Sequence, residues 1–91
     1  MSFRCADTAA VFYGQKCPRF AGIRRVLERK LAMLDAAAIL ADLRIPPSNR
    51  LEALKGDRAG QHSIRVNDQY RLCFVWTNPG PADVECVDYH R

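Results

Sequence analysis

The sequence predicts an α+β fold in which N-terminal helices pack on one face of a small antiparallel, mixed-edge β-sheet. Two patterns and one bound carry that expectation. In the first half, apolar residues recur three and four positions apart, the period of a half-buried helix. In the second half, apolar and polar residues alternate in short runs separated by clusters of turn formers, the signature of antiparallel strands. The chain has 91 residues, 48% hydrophobic and 26% charged, which fits one ordinary globular domain over residues 1–91 and leaves no room for a second.

The elements follow in order. Residues 1–4 can form a short first strand. Asp7 or Thr8 can cap a brief helix running to Tyr13, with Gly14 as its stop. Residues 20–35 have the clearest helical period, through Phe20, Ile23, Leu27, Leu31 and Leu34, while Arg24, Arg25, Glu28, Arg29 and Lys30 are assigned to the opposite, solvated face. Residues 36–43 either continue this helix or form another after a break near Asp35. Pro46-Pro47-Ser48-Asn49 ends helical structure, because proline lacks the N–H and restricts its predecessor.

Strands are expected over residues 51–55, 61–66, 70–77 and 83–89, joined by turns at 56–60, 67–69 and 78–82. Alternation puts Ile64, Val66, Tyr70, Leu72, Phe74, Trp76, Val84 and Cys86 on the face the helices cover. Ser63, Arg65, Arg71, Cys73, Val75, Glu85, Val87 and Tyr89 take the other. A three-residue loop at 67–69 pairs Val66 with Tyr70 and Arg65 with Arg71, keeping like with like, whereas a two-residue turn would mix the faces. In the last hairpin, pairing Phe74 with Cys86 sets Arg71 opposite Tyr89. Arg65, Arg71 and Tyr89 then gather at one end of the outer face, with His90 directly after them.

Several classes drop out. No run approaches the ~18 apolar residues of a membrane span. The N-terminus carries Asp7 and no clean apolar stretch, so it does not read as a secretory signal, and the cytosol is the expected compartment. Cys5, Cys17, Cys73 and Cys86 form no CxxC pair and are expected to be reduced; no metal site is predicted, since the two histidines also lack ligand spacing. There is no GxSxG, HExxH or phosphate-binding glycine loop, and no cofactor is implied. His62 falls on the core-facing side and reads as structural.

What remains on the outer face suits a phosphodiester. Guanidinium groups grip phosphate oxygens and stabilise the charge that builds in the transition state, and histidine exchanges a proton near neutral pH. Lys55, at the end of its strand, can join them. RNA carries its own nucleophile, the 2′-hydroxyl, so cleavage needs orientation, charge stabilisation and proton transfer. On the pattern alone the plainer reading of two such arginines is a solvated sheet face.

Two stretches narrow the choice. The run Leu54-Lys55-Gly56-Asp57-Arg58-Ala59-Gly60-Gln61-His62-Ser63-Ile64-Arg65-Val66-Asn67-Asp68-Gln69-Tyr70-Arg71 and the closing Val87-Asp88-Tyr89-His90 resemble HigB-type toxins of the RelE/ParE superfamily, closely from Arg44 onward. The resemblance implies a RelE-like fold and a metal-independent toxin that cuts mRNA in the ribosomal A site. It also implies a HigA-like antitoxin with a helix-turn-helix motif as partner. Lys55 matches the family's active-site lysine, Arg71 the arginine after the aromatic, and Tyr89 and His90 the terminal pair. Asp88 matches the acidic residue before that pair, and Arg65 a basic position of related toxins. Glu52 stands where some members have histidine, which leaves His90 as the imidazole of the site.

The expected activity is ribosome-dependent endoribonuclease, with Lys55, Arg71 and Arg65 on the phosphate, His90 moving the proton and Tyr89 orienting or stacking. ParE-like inhibition of DNA gyrase without catalysis is the alternative, and a decayed toxin that only binds antitoxin is a third. The net charge of +4 lies wholly in residues 1–49, so Arg24, Arg25, Arg29 and Lys30 are expected to attract ribosomal RNA.

Overall fold

The computed structural model describes residues 1–89; His90 and Arg91, and with them the expectation for His90, lie outside the described residues. Helix α1 spans Ala6–Phe12 and α2 spans Arg24–Ala36, the latter lying between short 3-10 segments at Pro18–Ile23 and Leu40–Arg44. Four strands follow: β1 Glu52–Ala53, β2 His62–Arg65, β3 Tyr70–Thr77 and β4 Gly80–Asp88. They pair antiparallel in sequence order. Phe3 adds an isolated parallel bridge to Val84 on the outer edge of β4, which makes that edge mixed.

The core forms where the two periodicities meet. Phe20, Leu27, Leu31 and Leu34 from the helical half cluster with Ile64, Val66, Leu72, Phe74, Val84 and Cys86 from the sheet. Helix α1 joins through Val11 and through Thr8, whose Oγ1 accepts the Cys86 N–H at 3.0 Å. Thr8 thus ties helix to sheet and is not the expected N-cap; that position falls to Cys5. Gly14 at φ 74 follows α1, a left-handed conformation glycine adopts without steric cost.

The β2–β3 hairpin has the expected register: Arg65 faces Arg71 and Ile64 faces Leu72. Asn67 Oδ1 accepts from the N–H of Gln69 and of Tyr70, closing the three-residue loop. The last hairpin differs from expectation. Its turn is only Asn78-Pro79, because Gly80 and Pro81 enter β4; Pro81 lies opposite Trp76. Two residues, Asp83 and Val84, then oppose Phe74, with Asp83 at φ 52, a bulge that shifts the pairing. Leu72, not Phe74, faces Cys86, and Arg71 faces Val87, not Tyr89. The displacement along β3 is two residues, so every side chain beyond the bulge keeps its predicted face.

Three further departures concern burial. Ser63 and Cys73 point to the outer face yet are 0% exposed. Lys30, expected on the solvated face of α2, is 7% exposed. Position 30 follows Leu27 by three and precedes Leu34 by four, so it lies on the buried stripe. The four cysteines are free, Cys73 and Cys86 lying on opposite faces.

Candidate active site

Arg71 stands near the start of β3, where alternation turns it outward. Four groups hold its guanidinium. Nε donates to Ser63 Oγ at 2.8 Å and lies 3.5 Å from Glu52 Oε1. Nη2 donates to the Arg50 carbonyl at 2.6 Å and to the Ser63 carbonyl at 3.4 Å. The Tyr89 ring lies 6.0 Å from the guanidinium carbon, within cation–π range, although Tyr89 is two residues beyond Arg71's direct partner. Most of these partners share the outer face because β1, β2 and β3 are in register there: Glu52 faces Ser63, and Ser63 faces Cys73.

Lys55 is exposed and follows β1 immediately before the Gly56–Arg58 turn. With Glu52, Ala53, Leu54 and Tyr89 it lines a groove of about 330 Å³. The loop bearing Lys55 is pinned to the sheet by Arg58, whose Nη1 donates to Glu85 Oε1 at 2.9 Å and to Gln61 Oε1 at 3.0 Å. The hydrogen bond to Glu85 holds the Arg58 pKa above its ordinary value, and burial pushes the neighbouring Cys73 thiol up. Sequence reasoning put Arg58 in a turn and missed this clasp, since nothing in the local pattern pairs position 58 with position 85.

Arg65 lies directly across from Arg71 and is ion-paired with Asp68 in the hairpin loop. Asp88, by alternation, points to the side opposite Tyr89. It accepts from Gln69 Nε2 at 3.0 Å, while the Gln69 carbonyl accepts the Tyr89 N–H at 2.7 Å. The two contacts fasten the end of β4 to the β2–β3 loop. His62 is not in this constellation. It stacks on Phe74, centroids 6.3 Å apart, and its buried Nδ1 has no hydrogen-bond partner among the described residues.

The cationic set on α2 divides. Arg25 and Arg29 are exposed. Arg24 is occupied, donating to the Gln15 carbonyl at 2.6 Å and pairing with Glu28 at 3.3 Å. Lys30 is inside, donating to Asn49 Oδ1 at 2.5 Å, and is corrected from an RNA-facing cation to an internal one. Burial, then the positive charges of Arg29 and Arg65, hold its pKa below the ordinary lysine value. Among the described residues no cluster of three His, Cys, Asp or Glu side chains could hold a metal, and no helix is long and apolar enough to cross a membrane.

Residues 13–90 match the family described as HigB-like toxin, the RelE-like toxin of the type II toxin–antitoxin system HigB. Toxin HigB-1 of Vibrio cholerae is 55% identical over 69 residues, 76% of this chain and 72% of that protein. An uncharacterized protein of Haemophilus influenzae is 48% identical over 54 residues, 59% of this chain and 54% of that protein. Among solved structures, the YoeB–YefM complex from Staphylococcus aureus aligns over 99% of this chain and 94% of that chain. Its TM-score is 0.63 at 19% identity, a likeness of fold.

Proposed function

This chain belongs to the HigB-like family of RelE-like toxins of type II toxin–antitoxin systems, and from that premise we propose that it is a ribosome-dependent endoribonuclease that arrests translation by cutting mRNA. The observation that carries the reading is the guanidinium of Arg71, held on the outer face over Tyr89 and beside the Lys55 groove. A fixed cation costs no reorganisation when charge develops on a phosphate, which is why preorganised donors contribute so much to phosphoryl chemistry.

In this reading the 2′-hydroxyl of one nucleotide attacks the adjacent phosphorus and loses its proton to solvent water, and the bond to the 5′-oxygen breaks. Arg71 and Lys55 hold the non-bridging oxygens, with Arg65 as a third cation across the strand. His90 supplies a proton to the leaving oxygen. Tyr89 stacks on a base or orients the phosphate. Glu52 and Ser63 fix Arg71, and Asp88 steadies the strand end that carries Tyr89. Arg25 and Arg29 draw the protein to ribosomal RNA. A HigA-like antitoxin is the expected partner; the structural neighbour is itself a complex of YoeB with YefM.

The test is cleavage of mRNA on translating ribosomes by wild type, Arg71→Ala and His90→Ala. The wild type is expected to cut and both variants to lose most of that activity. Inhibition of gyrase supercoiling by a wild type that leaves translation untouched would instead support the non-enzymatic, ParE-like alternative. Failure to arrest growth when expressed without antitoxin would indicate a decayed toxin.

A further inference from the structure

Lys30 is a buried cation to which the proposed chemistry gives no role. Its neighbours on the same stripe of α2 are Leu27, Leu31 and Leu34, all 0% exposed, and a fourth apolar residue would fill the position without desolvating a charge. Arg29 and Arg65 add repulsion from the same sign. What Lys30 touches is Asn49, which is 0% exposed. Asn49 Nδ2 in turn donates to the carbonyls of Leu43 at 3.1 Å and Ile45 at 3.4 Å. Through one side chain, α2, the Leu40–Arg44 segment and the approach to β1 are joined.

The next residue carries the consequence. Arg50 is left-handed, φ 46 and ψ 55, a conformation that is strained for a residue with a Cβ and persists only where its surroundings hold it. Its N–H donates to the Pro47 carbonyl at 3.0 Å, and its own carbonyl receives Arg71 Nη2 at 2.6 Å.

We propose that Lys30 and Asn49 are positioning residues for Arg71: the buried pair fixes the 43–50 segment so that the Arg50 carbonyl sets the orientation in which the Arg71 guanidinium meets the phosphate. The inference rests on the ribonuclease reading above.

The test is a double-variant cycle in the ribosome cleavage assay, with wild type, Lys30→Met, Arg71→Ala and the double variant. Lys30→Met is expected to lose about 10- to 100-fold in rate, the scale on which small misplacement of a reacting group is felt. The double variant is expected to be no slower than Arg71→Ala alone. A Lys30→Met protein that cuts at the wild-type rate, or losses that multiply in the double variant, overturns the proposal. Solvent exchange of the Arg71 Nη2 hydrogens, one of which the Arg50 carbonyl accepts, followed by NMR, provides a readout independent of activity: slow in wild type, faster in Lys30→Met. Equal exchange in the two overturns the positioning role. Should Lys30→Met not fold, Asn49→Ser replaces it in both measurements with the same expectations. A wild type that does not cut sinks the ribonuclease reading and leaves the exchange comparison to decide the positioning.

Discussion

On the helix-covered face of the sheet, Ile64, Leu72, Phe74, Val84 and Cys86 meet the leucines of α2 in one apolar cluster. On the outer face Ser63 and Cys73 are equally buried, but polar groups cover and fasten that surface: Arg71 donates to Ser63, and Arg58 donates to Glu85. The inner face is held by volume, which any well-fitting apolar side chain can supply. The outer face is held by directional bonds to charged groups, which also leave those groups aimed. The difference explains how so small a sheet can be the floor of a core on one side and, in the proposed function, a surface for chemistry on the other.

The contrast can be broken most strongly from the inside. Phe74→Ala should cost about 3–5 kcal/mol of stability by opening a cavity in the cluster, measured by urea unfolding. Arg71→Ala should cost less stability, about 1–3 kcal/mol for the hydrogen bonds of a charged group. It should nevertheless lower mRNA cleavage by about 100- to 1000-fold, the scale for removing a preorganised donor. Equal ranking of the two variants in both assays would dissolve the distinction between the faces.

A subtler probe is pH. Burial pushes the Cys86 thiol up to about 12 and also raises Cys73. The unfolded thiol titrates near about 8.5. Above that value the unfolded chain releases a proton that the folded chain retains, so stability is full below about 8.5 and falls as pH rises toward 12. Unfolding measured at neutral and alkaline pH should show this decline, and Cys86→Val should reduce it. The smallest effect belongs to the exposed cations of α2. Reversing Arg25 and Arg29 to Glu should weaken ribosome association and lower its log–log salt slope by roughly 1 per residue. Unchanged association at low salt would make the charge of that helix incidental.

How far the sequence could be read follows the range of the interactions. The β2–β3 hairpin was legible because a slip of one residue would have exposed Ile64 and Leu72 and buried Arg65 and Arg71. The β3–β4 register was not, because Gly80 and Pro81 read as turn formers; Pro81 instead sits in β4 beside the bulge at Asp83 and Val84. The outward placement of Arg71 and Tyr89 survived that error, since an even displacement preserves the face. Lys30 was misassigned by its charge, although its spacing from Leu27 and Leu34 already put it on the buried stripe. The roles of Asn49, Arg50 and Arg58 had no local signal, because each acts through a partner distant in sequence.

The central claim is that the outer face cuts RNA by making the substrate's own 2′-hydroxyl the nucleophile. The most direct measurement is the chemistry of the ends left on mRNA after incubation of the wild-type toxin with translating ribosomes. A 2′,3′-cyclic phosphate on the upstream fragment and a free 5′-hydroxyl on the downstream one are predicted. A 5′-phosphate on the downstream fragment, or intact mRNA, would contradict the account.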